Sequence, residues 1–274
     1  LVVATAISGP AMVYSTSSLS RAIELHVISV ALQKGGGGKS TTAQALASTL
    51  GFKKKKTLLI DMDSQGNVTY ASGVDTPERT VTDVLGGDCN AQEAIVKCKY
   101  YDMIAADQYL SNVEMAEVSP TLLKNTVIAP LRDQYDFIVI DTPPALGNLS
   151  YNALSASDYV VIPSEPRPFA LQGLGALHET IKSVQKNVNP GLKVLGILLI
   201  KYSNRTVLNR DIKDMIEDYA KEMDTIVFST SIREAVAVAE AQTLRQPLID
   251  YAKNSKPNID YKAFTTEVLK RIGE

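Results

Sequence analysis

The segment ALQKGGGGKSTT, residues 31–42, decides the fold. Its four consecutive glycines could form a flexible linker or a loop that holds a phosphate chain. A linker is expected between independent units, flanked by polar, disordered sequence. Here the glycines follow VISVAL (27–32), an apolar run typical of a buried strand, and lead into KSTTAQALASTLG (39–51). The latter predicts a helix that ends at Gly51. A strand, a glycine loop and a helix in this order are typical of a phosphate-binding loop.

Short apolar runs continue to alternate with helical stretches along the rest of the chain. The apolar runs are 27–32, 57–61, 136–141, 159–163, 193–200 and 225–229. The helical stretches are 39–50, 119–131, 170–187, 207–222, 233–243 and 259–272. Continuous apolar runs are typical of parallel strands that are buried on both faces. We therefore predict an α/β fold, a doubly wound and mostly parallel sheet flanked by helices, in a single domain that spans 27–274.

Composition and charge set limits on the class of protein. The chain of 274 residues is 45% hydrophobic and 21% charged, as in globular proteins, and its net charge is −2. This charge argues against a globally basic nucleic-acid-binding protein, but it allows a basic patch on one face. Two cysteines, Cys89 and Cys98, fit neither a disulfide framework nor a CxxC metal site.

Residues 1–26 differ in character from the rest, and we interpret them as an N-terminal extension that is disordered or reflects a misplaced start. A signal peptide fits poorly, because the segment lacks a basic beginning and Ser8, Gly9 and Pro10 interrupt it. No stretch of the sequence has the apolar length of a transmembrane helix. We expect a cytoplasmic protein.

The glycine loop predicts a set of phosphate contacts. Successive backbone N–H groups and the positive end of the following helix would surround the phosphates. Glycine suits this loop because a Cβ atom would block the close approach of the backbone. Lys39 would place its charge on the β- and γ-phosphates, and the Ser40 hydroxyl would complete the Mg²⁺ shell. The predicted nucleotide-binding residues are Gly35, Gly36, Gly37, Gly38, Lys39, Ser40 and Thr41.

Carboxylates follow two further predicted strands. LLIDMDSQGN (58–67) places Asp61 and Asp63 after one strand, and YDFIVIDTPPALG (135–147) places Asp141 after another. Ligands of open α/β sheets bind outside the carboxyl ends of the strands. Each aspartate alone could simply end a strand in solvent. Together with the glycine loop they predict nucleotide hydrolysis, with Asp141 as the carboxylate that holds Mg²⁺.

The loop departs from the strict GxxxxGK[ST] pattern, because Gln33 stands at the position of the first glycine. Instead, KGGGGKS (34–40) resembles the deviant XKGGxGK[ST] loop of the ParA/MinD group of ATPases. Lys34 matches that family's signature lysine, and the resemblance implies that it reaches the partner's nucleotide across an ATP-dependent sandwich dimer. Gly37 is a departure, since family members commonly carry a small apolar residue such as valine there. A more flexible loop with slightly weaker nucleotide affinity is the expected effect.

The aspartates after the second strand match a further motif of that family. The segment resembles the family's DxDPQGN, with Ser64 in place of the usual proline. By this match, Asp63 positions the attacking water and Asp61 supports the metal shell. The implied catalytic residues are thus Lys34, Lys39 and Asp63.

Similarity to chromosome and plasmid partitioning ATPases extends along most of the chain, for example in EAQTLRQPLIDY (240–251). The resemblance implies ATP and Mg²⁺ as cofactors and a homodimer that binds DNA without sequence preference. It also implies a ParB-type centromere-binding partner that stimulates hydrolysis, and a location on the nucleoid. Arg205 and Arg233 match basic positions of the family and are DNA-binding candidates, although each could equally form a surface salt bridge.

Other classes remain as alternatives. A MinD-like membrane-associated positioning ATPase would end in a basic amphipathic helix. The tail YKAFTTEVLKRIGE (261–274) has suitable residues, but we expect it to pack on the sheet, without stable membrane association. An iron–sulfur carrier would need paired cysteines. A nucleotide-dependent scaffold without hydrolysis would require that Gly37 or Ser64 has impaired catalysis, while the presence of Asp63 favours an active enzyme.

Overall fold

The computed structural model describes residues 24–204 and 206–274, and one seven-stranded sheet organises them. The strands are β1 (His26–Val30), β2 (Thr57–Asp61), β3 (Ile95–Lys97), β4 (Asp102–Ile104), β5 (Phe137–Asp141), β6 (Tyr159–Ser164) and β7 (Lys193–Leu199). Their order is β3-β4-β2-β5-β1-β6-β7, and each pair is parallel except β3 with β4 at one edge. The predicted mostly parallel α/β sheet is confirmed.

Helices cover both faces of this sheet. They are α1 (Lys39–Phe52), α2 (Asn67–Ala71), α3 (Val81–Gly86), α4 (Leu110–Met115), α5 (Ala129–Leu131), α6 (Asn148–Ala156), α7 (Ala170–Asn187), α8 (Val207–Glu222), α9 (Val236–Thr243), α10 (Leu248–Tyr251) and α11 (Lys256–Ile272). Phe137 and Val139 of β5 pack in the cluster that contains α1 and α11, whereas Ile138 and Ile140 pack in a second cluster on the opposite face. Burial on both faces explains why the central strands are continuously apolar.

Two predicted elements have different forms in the structure. The predicted strand 225–229 makes only a single parallel bridge, between Val227 and Ile197 of β7. The carboxylate of Glu267 accepts the N–H groups of Ser229 and Thr230, so these groups are not used for further pairing. The predicted helix 119–131 is a π-helical turn followed by α5, because Pro130 has no N–H for a regular helical bond.

The beginning of the fold lies one residue earlier than predicted. His26, which the sequence assigns to the extension, belongs to β1 and pairs with Phe137. Most of the proposed extension, residues 1–23, lies outside the described residues.

Gly51 lies inside α1 and does not terminate the helix as predicted. The helix ends at Phe52, and Lys54 adopts the left-handed conformation with φ 67°. A Cβ atom on Gly51 would overlap the backbone carbonyl oxygen of Tyr100. This glycine is therefore required by the close approach of another segment.

We predict that Gly51→Ala lowers the free energy of unfolding by about 1–3 kcal/mol, because the added methyl group overpacks a backbone contact. The measurement is urea unfolding followed by circular dichroism. The matched control is Gly175→Ala in α7, where the new Cβ would meet Tyr219 Oη at an ordinary 3.6 Å. The control should be neutral or slightly stabilising, because alanine favours helices. Equal destabilisation by both substitutions would contradict this explanation.

Candidate nucleotide-binding site

The glycine loop joins β1 to α1 at the carboxyl edge of the sheet. Gly36 and Gly38 have φ values of 68° and 73°, in the left-handed region that glycine adopts without strain. A Cβ atom on Gly37 would lie 3.1 Å from Leu32 Cδ2. The loop is thus tightly packed at Gly37, and a larger side chain here requires Leu32 to move.

The loop and the first turn of α1 line a cleft of about 1210 Å³. Asp63 and Pro144 border the cleft from the ends of other strands, and α9 lies along another wall. The N–H groups in the first turn of a helix have no intrahelical partners, so those of α1 are available to a ligand. The predicted residues from Gly35 to Thr41 all contribute to this cleft.

Two aspartates lie side by side beneath the cleft. Asp61 of β2 and Asp141 of β5 are paired in register on adjacent strands, and both are fully buried. Burial raises the pKa of Asp141 well above its ordinary value, and the negative charge of Asp61 raises it further. Ser40 and the positive charge of Lys39 lower the pKa of Asp141. Mutual repulsion of two buried carboxylates favours a cation between or beside them.

Asp141 fits a divalent cation. Both of its carboxylate oxygens are buried and have no hydrogen-bond partner among the described residues. Buried charges without hydrogen bonds are costly unless they are paired or bind a metal. Within the described part of the chain, no three Asp, Glu, His or Cys side chains converge on a common metal position. A cation at Asp141 would therefore need the Ser40 hydroxyl and ligand oxygens to complete its shell.

Asp61 has a different environment from that of its neighbour. Its Oδ1 accepts the N–H of Asp63 at 3.0 Å, and its Oδ2 accepts both the N–H and the hydroxyl of Thr69, at 3.0 and 2.7 Å. Burial raises the pKa of Asp61 to about 6. Asp61 thus fastens the loop that carries Asp63. Its support of the metal shell stays a prediction.

Lys39 is folded back across its own loop. Its Nζ donates to the backbone oxygen of Lys34 at 2.8 Å, and the side chain is buried. Burial lowers the pKa of Lys39, while the charges of Asp141 and Asp63 oppose this change. Asp63 is also buried, and its Oδ1 accepts the N–H of Gln65 at 3.0 Å. The ammonium group and the carboxylates therefore share one small volume below the glycine loop.

Lys34 lies on a different side of the loop. In the described residues it does not line the large cleft, but a separate hollow of about 270 Å³ together with Glu165 and Phe169. Phe169 is 71% exposed there. The two lysines that flank the glycines therefore line different cavities.

Of the two DNA-binding candidates, the structure describes Arg233 but not Arg205. Arg233 lines the cleft, and its guanidinium forms a two-point ion pair with Asp260, with N···O distances of 2.9 and 2.6 Å. The salt bridge that the sequence left open is thus present for Arg233, and its contact with DNA stays a prediction. Arg205 lies outside the described residues.

Two cleft residues were not found by the sequence analysis. Gln242 of α9 donates from Nε2 to Thr41 Oγ1 at 2.7 Å, and Tyr261 of α11 shares a hydrogen bond of 3.3 Å with Thr42 Oγ1. Both contacts join the C-terminal helices to the first turn of α1. Because they connect residues about 200 positions apart, no local spacing signals them.

The last helix packs on the sheet as expected. Phe264 and Val268 of α11 are fully buried in the cluster that contains α1. None of the helices described here combines the length and apolar character needed to cross a membrane.

Comparison with known proteins identifies relatives over nearly the whole chain. The family described as "AAA domain" matches residues 25–194. The chromosome partitioning protein ParA of Myxococcus xanthus is 34% identical over 268 residues, which cover 95% of this chain and 94% of that protein. The sporulation initiation inhibitor protein Soj of Bacillus subtilis is 34% identical over 250 residues, covering 88% and 97%.

Solved structures share the fold. Cobyrinic acid a,c-diamide synthase from Mycobacterium smegmatis, solved with ADP and magnesium, has a TM-score of 0.78 and 30% identity, and the match covers 90% of this chain and 95% of that one. The cell division ATPase MinD from Pyrococcus furiosus has a TM-score of 0.75 and 26% identity, covering 89% and 98%. With its deviant glycine loop and two buried aspartates at adjacent strand ends, the chain belongs to the AAA domain family and, within it, to the ParA/Soj partitioning ATPases.

Proposed function

We propose that the chain is a DNA-partitioning ATPase that forms a sandwich dimer with ATP and Mg²⁺. The dimer binds DNA without sequence preference, and hydrolysis, stimulated by a ParB-type partner, releases it. Support comes from relatives such as the chromosome partitioning protein ParA of Myxococcus xanthus. The observation that carries the proposal is the separation of Lys34 and Lys39 onto two sides of one loop.

The position of Lys34 favours a role between two copies of the chain. It lines an open hollow beside the exposed Phe169, whereas its own phosphate loop faces the large cleft. A lysine on the outer side of the loop is suited to meet a phosphate held by a second copy. Charge placed on the transferring group from outside stabilises the transition state of phosphoryl transfer.

Nucleotide binding in the cleft uses the loop and the start of α1. The N–H groups of Gly35 to Gly38 and the Lys39 ammonium would bind phosphate oxygens. Asp141 and Ser40 would hold Mg²⁺, with Asp61 supporting this shell from the neighbouring strand. When bound, Mg²⁺ neutralises negative charge on the β- and γ-phosphates. Asp63 borders the same cleft, where its carboxylate can accept a proton of the attacking water and so orient it.

DNA contacts are expected from basic residues on the same side of the molecule. Arg233 borders the cleft and is 47% exposed, so it is accessible to a phosphate. Its ion pair with Asp260 would be exchanged for a DNA phosphate. Membrane attachment is less favoured, because Phe264 and Val268 of α11 are buried in the core.

We predict that Lys39→Ala and Lys34→Ala have different defects. Loss of the buried Lys39 charge should weaken ATP–Mg²⁺ binding by about 30-fold or more, because it removes a hydrogen-bonded charge. Lys34→Ala should bind ATP normally, but neither dimerise nor hydrolyse it. Fluorescent-nucleotide titration, light scattering and phosphate release measure the three properties. Lys53→Ala, an exposed lysine after α1, is the control. Normal ATP-dependent dimers of Lys34→Ala would contradict the sandwich dimer.

Asp63→Ala should stop hydrolysis and keep an ATP-bound dimer on DNA, because the water is no longer oriented while nucleotide binding remains. Hydrolysis is followed by phosphate release, and the bound species by cross-linking on duplex DNA. Asp88→Ala, at an exposed position, should behave as the wild type. A variant that stays monomeric on DNA with ATP would contradict the role assigned to Asp63.

Binding to random-sequence duplex DNA should require ATP–Mg²⁺ and should be absent with ADP–Mg²⁺. The affinity should fall steeply with rising salt, because contacts with phosphates release counterions. Arg233→Ala should weaken the binding and reduce its salt dependence, whereas Lys221→Ala on α8 should leave both unchanged. Fluorescence anisotropy at several salt concentrations measures this. Equal DNA binding with ATP and ADP would contradict the proposed nucleotide control.

A further inference from the structure

Gln242 makes the contact on which this inference depends. Its amide nitrogen lies 2.7 Å from the hydroxyl oxygen of Thr41, and both residues line the large cleft. Thr41 follows Ser40 directly in the first turn of α1, next to the glycine loop. A residue from α9 thus touches the part of the cleft where phosphates are expected.

In the described part of the chain, the hydroxyl of Thr41 does not make the backbone hydrogen bond that several other helical threonines make. A threonine hydroxyl has one hydrogen to donate, and in helices it often donates to the carbonyl four residues earlier. Five threonines do so here, namely Thr126, Thr180, Thr243, Thr265 and Thr266. Thr41 has no such bond within residues 24–204 and 206–274, and it accepts the Gln242 amide instead. Its own hydrogen is therefore available to a ligand.

Neighbouring contacts hold Gln242 in place. Ala241 is buried in the core cluster beside α1. Arg245, just after α9, donates to the backbone oxygen of Tyr70 at 3.1 Å and pairs with Asp75 at 2.6 Å. On the other side, the Tyr251 hydroxyl donates to Glu240 at 3.0 Å. The backbone that carries Gln242 is thus fixed by the fold, and its amide is held by the bond to Thr41, which reduces the entropy cost of using it.

We propose that Gln242 is a positioning residue for nucleotide binding. Its amide donates to the Thr41 hydroxyl, and this turns the hydroxyl hydrogen toward a phosphate oxygen in the cleft. The amide N–H, the hydroxyl and the phosphate form a series of hydrogen bonds that polarise one another. This strengthens the hydrogen bond from the hydroxyl to the phosphate. Gln242 itself does not touch the nucleotide. The inference rests on the proposed function, since it needs a nucleotide phosphate in this cleft.

A double-mutant cycle tests the proposal. Affinities for ATP–Mg²⁺ and ADP–Mg²⁺ are measured by titration for Gln242→Ala, Thr41→Val and the double variant. Thr41→Val keeps the shape of the side chain and removes the hydroxyl. Gln242→Ala should weaken binding by about threefold to tenfold in the wild-type background, as expected for one hydrogen bond, and should have no further effect with valine at position 41.

Two further variants separate positioning from structural support. Gln242→Glu keeps the length of the side chain but can only accept, so the Thr41 hydrogen would turn away from the phosphate. It should bind nucleotide more weakly than Gln242→Ala. Gln246→Ala removes an exposed amide just beyond α9 and should bind as the wild type does. Urea unfolding of all variants should show no loss of stability that parallels the loss of affinity.

Specific results would overturn the proposal. Equal losses caused by Gln242→Ala in both backgrounds would show that Gln242 acts independently of Thr41. Wild-type affinity of Gln242→Glu, or losses that follow unfolding, would also reject it. These outcomes leave the proposed function intact. Absence of nucleotide binding by the wild-type chain would instead reject both.

Discussion

Two buried carboxyl groups at the ends of adjacent strands constrain the whole site. Asp61 and Asp141 are in register on β2 and β5, and neither is exposed. The fold neutralises this arrangement in two ways. Asp61 accepts three hydrogen bonds that order the Asp63 loop, whereas Asp141 has none among the described residues and faces the charge of Lys39. A carboxylate that has no hydrogen-bond partner and lies next to the N-terminus of a helix can bind a metal cation that enters together with an anionic ligand.

The C-terminal helices add contacts to the site that lies at the ends of the central strands. Gln242 and Tyr261 bond to Thr41 and Thr42, so α9 and α11 are attached to the helix that follows the phosphate loop. Tyr261 is adjacent to Asp260, the partner of Arg233. A change in the first turn of α1 therefore has a short physical route to the arginine at the rim. Any coupling between these two places is reciprocal, so an effect of a ligand at one on a ligand at the other would hold in both directions.

The sequence predicted the elements whose signal is local, and it missed those that depend on distant contacts. The glycine loop, β2, β5 and their aspartates are local, because each is an apolar run followed by a specific polar residue. The strands β3 and β4 have three residues each, too few to show a period. Gly51 was misread because its role is set by the carbonyl group of Tyr100, and Gln242 because its partner is Thr41. Neither partner can be inferred from spacing.

The edges of the sheet determine how readily copies of the chain aggregate at high local concentration. Unpaired strand edges are templates for aggregation between copies. At one edge β3 is only three residues long, ends at the exposed Lys97 and is followed closely by the exposed Lys99. At the other, the chain around Val227 and Ile232 covers β7 through single bridges. Copies gathered on one surface can therefore be crowded together with little tendency to join their sheets.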